Sequence, residues 1–268
     1  MNDDIDAQFC RKGFLAEGMA EEITLLRQNH DALFRLAEDL SECLQTMAVK
    51  AMAHVKGKTL DANVLATFVL LRSTSLVQAA ILLAERGMVV EARMMVRSLL
   101  ESGFCIVAIH RDPQKFVELF RSDDMASRKG QAKVILEKGL AAPDSEMGKK
   151  VNAFLSALEK GTRYFDINDL ASQGPLASQY LLYKVLSNDS AHVSATSLRR
   201  HLDMAPDKSG WIGYVLGPAA DPEIAQTLDY LVLAGIPIGL AFTEMVGDGA
   251  GNADLAAIAE RRAVLQGR

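Results

Sequence analysis

Aromatic residues make up only 6% of this 268-residue chain, with 1 tryptophan and 5 tyrosines, and there are only 7 prolines. Few prolines leave helices free to run long, and few aromatics remove one of the residue classes that strands favour. Cysteine is scarcer still. Cys10, Cys43 and Cys105 are far apart and odd in number, with no Cys-x-x-Cys pair. This excludes a disulfide framework and fits a reducing compartment. Cys105 lies in an apolar run, where a small buried thiol is expected. The N-terminal run MNDDIDAQFC is acidic and reads as neither a signal nor a transit peptide, so a cytoplasmic location is expected.

A strong charge of either sign is also lacking. The net charge of -5 gives no global attraction to nucleic acid, so such binding needs a local basic patch. Arg121, Arg128, Lys129 and Lys133 make a modest one, interrupted by Asp123 and Asp124, which reads as a solvated face. Long apolar runs are short of a membrane span. Residues 230–243, YLVLAGIPIGLAFT, fall below the roughly 20 residues a bilayer requires and contain Pro237, so no span is expected. Within that run Gly235 and Gly239 form a Gly-x-x-x-Gly that lets two helices approach closely.

The familiar catalytic and cofactor motifs are missing too. There is no Glu-x-x-His of the di-iron bundles, no His-Glu-x-x-His and no zinc spacing of Cys and His. Neither a dinucleotide-binding Gly motif, nor a phosphate-binding loop, nor a Gly-x-Ser-x-Gly elbow occurs. No metal and no cofactor are expected.

What is present is helix-forming. Ala, Leu, Met, Glu and Arg dominate, and 49% hydrophobic with 24% charged residues is an ordinary globular mix. Helical spacing and stop signals place helices at residues 21–56, 61–86, 88–110, 112–138, 143–161, 175–190, 194–201 and 221–246, with a charged helix at the C-terminus. Residues 162–174 read as a loop and 247–252 as a Gly-rich turn. Gly87 alone separates two of the helices, which makes them antiparallel neighbours. Residues 204–222 are broken by proline and glycine and hold the one strand-like run, Trp211 to Leu216. The expected fold is all-α: an antiparallel bundle built on 61–86, 88–110, 112–138 and 175–190. Terminal helices flank it, with a small irregular or strand-like insert near 204–222. Residues 1–60 would supply an N-terminal long helix, 61–200 the bundle core, and 201–268 the insert and C-terminal helices, all in one structural unit.

Residues 88–110 are apolar nearly all round, as in a helix buried on most sides. Yet Arg93, Arg97 and Glu101 sit there four residues apart on one face. Such ions must pair with each other or with facing helices, or line a cavity. The segment 175–190 offers Tyr180, Tyr183, Ser187 and Ser190 at helical spacing, and Asn188 and Asp189 crowd towards His192, a candidate acid or base. Each residue also has a plainer role. Arg97 with Glu101 makes a structural ion pair, and the tyrosines serve as core residues. The serines end one helix and cap the next, and His192 sits as a capping or core histidine.

The segments GMVVEARMMVRSLLESGFCIVAIHRDP and YLLYKVLSNDSAHVS resemble an uncharacterised bacterial helical family, a domain of unknown function. Its Arg-Ser-Leu-Leu-Glu segment is here Arg97 to Glu101, and its Tyr…Leu-Ser…His segment is Tyr183, Leu186, Ser187 and His192, so the resemblance spans roughly residues 65–200. The second segment also resembles the Arg-Asn-x-x-x-His motif of HEPN domains (higher eukaryotes and prokaryotes nucleotide-binding), helical bundles of which many are metal-independent ribonucleases in stress and phage defence. Asn188 and His192 match, while Ser187 stands where that motif has arginine.

Three functions follow as expectations. The resemblance implies an HEPN-like RNA-binding or RNA-cleaving protein, with His192 and Glu101 as catalytic candidates and Arg97 or Lys184 as phosphate contacts. The polar constellation by itself fits a small-molecule effector module, in which Arg97 meets an anionic group and Tyr183, Ser187, Asn188 and Asp189 complete the binding residues. It fits equally a structural or interaction protein, in which the polar residues fix helix register. A homodimer through the Met-rich apolar helices is also expected.

Overall fold

The computed structural model describes residues 3–157, 161–172, 174–207, 209–247, 249 and 251–267. In chain order the helices are α1 (Asp3–Lys12), α2 (Met19–Asn29), α3 (Asp31–His54), α4 (Ala62–Ala84), α5 (Val89–Arg111) and α6 (Pro113–Glu137). They continue with α7 (Glu146–Ala157), α8 (Ile167–Ser172), α9 (Gln179–Leu186), α10 (Ala195–Arg199), α11 (Asp221–Val246) and α12 (Asn252–Leu265). Strands β1 (Leu202–Met204) and β2 (Trp211–Tyr214) pair antiparallel in a hairpin. The fold is the expected helical bundle with a small strand-bearing insert.

Local chemistry explains the joints. Gly87 sits at φ 72° between α4 and α5, and a side chain there would meet Pro218 Cβ at 2.5 Å. The Ala219 N–H donates to the Gly87 carbonyl at 3.0 Å, so the segment after the hairpin fastens onto this turn. Asp112 caps α6 by accepting from the Lys115 N–H at 3.1 Å, with Pro113 as its first residue. On α11 the Gly-x-x-x-Gly does admit close neighbours. A Cβ on Gly235 would lie 2.6 Å from Leu40, and one on Gly239 would lie 2.7 Å from Leu255.

The centre of the bundle differs from the expected one. It consists of α3, α4, α5 and α11, with α6, α8 and α9 laid on the outside of α5. Phe34, Leu36, Leu40 and Leu44 of α3 are fully buried, as are Leu99, Leu100, Phe104, Ile106 and Ile109 of α5 and Ile224 of α11. By contrast α6 buries only Phe116, Ala126 and Ala132. A helix apolar on every side outcompetes one with a narrow apolar stripe for the central position.

Other differences are local. The single helix expected over 21–56 is broken at His30 (φ −123°, ψ 26°), where Asn29 and His30 both turn to Asp221 at the start of α11, at 3.5 and 3.6 Å. The loop expected over 162–174 contains α8, held by buried Leu170 and Ala171. The helix expected over 175–190 begins later, at Gln179, and loosens into a π-helical turn over Ser187–Ala191. The end of the helix expected over 143–161 and part of the Gly-rich turn over 247–252 lie outside the described residues.

Among the described residues two helices, α4 and the 26-residue α11, are long and apolar enough to cross a membrane by length and composition. Half of the apolar window of α4 and 61% of that of α11 is buried inside the bundle, which is the burial of core helices.

Candidate functional site

The face of α5 that carries Arg93, Arg97 and Glu101 looks towards α9, the π turn and α11, and the polar residues sort into two networks. The deeper one is centred on Arg93, whose side chain is 6% exposed. Arg93 donates to Asp189 Oδ2 at 2.7 Å, to Thr227 Oγ1 at 3.0 Å and to Gln226 Oε1 at 2.8 Å. Arg200, just past α10, grips the same Asp189 with two bonds of 2.9 and 2.8 Å and donates to Glu223 at 2.6 Å. Two guanidiniums thus face two carboxylates. Burial alone would lower the Arg200 pKa, but its bonds to Glu223 and Asp189 outweigh that and raise it.

The second network lies one turn along α5. Arg97 donates to Ser187 Oγ at 2.8 Å and to the Tyr183 hydroxyl at 3.0 Å. Its guanidinium also pairs with Glu101 at 3.2 Å, and the Tyr183 hydroxyl donates to the same carboxylate at 3.2 Å. Burial raises the Tyr183 pKa, and the charge of Glu101 raises it further. The π turn gives these contacts their geometry. Ser187 and Ser190 donate back to the carbonyls of Tyr183 and Leu186 at 2.7 and 2.6 Å, so the widened turn holds Ser187 towards Arg97 and Asp189 towards Arg93.

Of the residues singled out in the sequence, Arg97, Glu101, Tyr183 and Ser187 meet, while Asp189 belongs to the Arg93 network. Asn188 and His192 stand apart. Asn188 is exposed and donates to Thr196 at 3.1 Å. His192 is exposed in extended backbone, and its ring makes no hydrogen bond or ion pair with a described residue. No bond joins Arg97 to His192, so the guanidinium that would replace the missing motif arginine is held elsewhere. Sequence reasoning missed Arg200, Glu223, Gln226 and Thr227, which come from segments that no short-range spacing links to α5.

It also missed a groove. Between α4, α5, α6 and the start of α8 lies a hollow of about 470 Å³ that reaches Glu101. Phe68, Phe116, Phe120 and Phe165 line it, with Phe116 and Phe120 stacked at 6.1 Å. The Phe165 N–H donates to Asp123 at 3.1 Å, and Ser122 bonds Arg163 in both directions, so this wall is tied to α6. Phe116 and Phe120, four apart and so on one face of α6, were the available signal. Cys105 and Arg72 complete the lining. Burial pushes the Cys105 thiol up to about 12, with Glu101 adding to the effect, so it stays protonated. Arg72 is exposed and makes no hydrogen bond or ion pair among the described residues. Other hollows, of about 350 to 570 Å³, do not touch Arg97 or Glu101.

Among the described residues no group of three or more His, Cys, Asp or Glu is placed to hold a metal ion. No curated protein and no solved structure matches the chain. A family model does match, over residues 63–209, which takes in α4 to α10, the first strand, the Arg97 network and the groove, but of the Arg93 network leaves out Glu223, Gln226 and Thr227 on α11. The chain belongs to DUF5677, a family of unknown function.

Proposed function

We propose that this protein is a small-molecule-binding helical module whose ligand sits in the phenylalanine-lined groove between α4, α5, α6 and α8. One observation carries the reading: a hollow of about 470 Å³ lined by four phenylalanines abuts the Glu101 carboxylate of the Arg97 network. Concave, mostly apolar sites of roughly 300–1,000 Å³ with a few fixed polar groups are what small ligands occupy. In this reading the Arg97 network is the rigid backing of the site, since its donors and acceptors already satisfy one another. The test is ligand-observed NMR with a set of apolar fragments on wild type and on a Phe68→Ser, Phe120→Ser variant. Both rings are partly exposed, so the variant is expected to fold. Fragments should bind the wild type and lose contact in the variant; equal signals from both would end this reading.

A second reading rests on a separate observation, the exposed His192 with exposed Lys184 and Arg199 on the same stretch of chain. There the HEPN likeness would be expressed as RNA binding without cleavage. The backbone contacts would come from Lys184 and Arg199, and the Arg97 guanidinium, held by Ser187, Tyr183 and Glu101, would not be free to stabilise a transition state. Intact RNA retained by wild type but not by Lys184→Gln, Arg199→Gln is the expected result. RNA cut by wild type and spared by His192→Ala would restore the nuclease; no retention would remove the reading.

A further inference from the structure

We infer that the groove takes an apolar monocarboxylate, its carboxylate against Arg72 and its hydrocarbon body against Phe68, Phe116, Phe120 and Phe165. The inference rests on the small-molecule reading above and assigns the ligand class of that site.

Charge accounting around the groove gives the class. Two charged side chains line it, Arg72 on α4 and Glu101 on α5. Glu101 is already neutralised by Arg97 at 3.2 Å and accepts the Tyr183 hydroxyl at 3.2 Å, so it is a poor counter-ion for a cationic ligand. Asp123 of α6, which acts electrostatically on Cys105, accepts the Phe165 N–H and stays committed to that bond. Arg72 is the one lining charge without a partner among the described residues. A guanidinium flanked by aromatic surface matches a carboxylate, which it binds through paired N–H donors.

The rest of the lining limits the ligand further. Four phenylalanine rings offer apolar surface with no hydrogen-bond partner, so the body of the ligand must be hydrocarbon. A second anionic group would lie on those rings or meet Glu101, and either placement is unfavourable. The Cys105 thiol, pushed up to about 12, is a weak nucleophile, so binding is non-covalent.

Three probes that share the phenylbutyl skeleton separate the charge assignment from the groove reading: 4-phenylbutyrate, its neutral isostere 4-phenylbutanamide and the cationic 4-phenylbutylamine. Each is titrated by calorimetry into the full chain, into Arg72→Gln and into Phe68→Ser. The acid is expected to bind about tenfold more tightly than the amide, the ratio that about 1.4 kcal/mol represents, and the amine more weakly than both. Arg72→Gln should bring the acid down to the amide while leaving the amide unchanged. Phe68→Ser should weaken acid and amide alike. Acid and amide binding equally, with both sensitive to Phe68→Ser, would overturn the ligand class and leave the groove standing. An amine that binds best would do the same. Failure of all three, or binding indifferent to Phe68→Ser, would overturn the groove as well. Sedimentation closes the remaining route: a dimer that Phe68→Ser converts to monomer would make a second copy the occupant and overturn both.

Discussion

At the scale of single residues, the polar side chains on α5 are unequal. Asp189 receives both Arg93 and Arg200, and its side chain is 12% exposed. Removing it leaves Arg93 and Arg200 to share the single carboxylate of Glu223, at 3.5 and 2.6 Å, and a buried ion that loses its partner outright costs about 3–5 kcal/mol, which is the upper bound here. Asp189→Ala should therefore lower the urea midpoint far more than Glu146→Ala, whose partner Lys150 is itself exposed. Equal midpoints would show that the Arg93 network contributes no more than a surface pair. The spacing of Arg97 to Glu101 and of Tyr183 to Ser187 was readable from the chain, because each pair lies within one helix and four residues is one turn. Asp189 meeting both Arg93 and Arg200 was not, since the three belong to different elements. Arg72 carries no signal in the sequence, because Phe116 and Phe120, which line the same hollow, come from a different helix.

At the scale of elements, the long helices followed from apolar spacing and from stops such as Gly87 and Pro113, whereas the short α1 and α8 and the break at His30 did not. Nor did the ranking of the long helices. Helix α6 was long enough for the centre, but apolar residues on one side only keep it outside, and α11 takes the centre because nearly all its faces can be buried. The π turn was hidden for another reason: Ser187 and Ser190 are the usual residues of a helix end, and only tertiary pulls on Ser187 and Asp189 widen the turn instead. The α4–α5 joint gives a sharp test. Gly87→Ala would place a Cβ at φ 72° and 2.5 Å from Pro218 Cβ. Left-handed backbone for a non-glycine residue costs about 1–3 kcal/mol before that clash is relieved. A clear fall in melting temperature is expected, larger than that of Gly139→Ala, where a Cβ meets nothing within 4 Å. Equal falls would mean that the segment after the hairpin yields without resistance.

At the scale of the whole molecule, the β hairpin is pinned at both feet. Arg200 is locked to Asp189 and Glu223 on one side, and Ala219 is bonded to Gly87 on the other, while the helix that follows runs through the middle of the bundle. Chain continuity across the hairpin is therefore dispensable for holding the molecule together. A single protease nick between Met204 and Trp211 should yield two fragments that separate on a denaturing gel yet elute as one species from a sizing column, with the helical signal intact. The same cut should let the halves be expressed as separate polypeptides that find each other, the smaller piece supplying α11 as the missing centre of the larger.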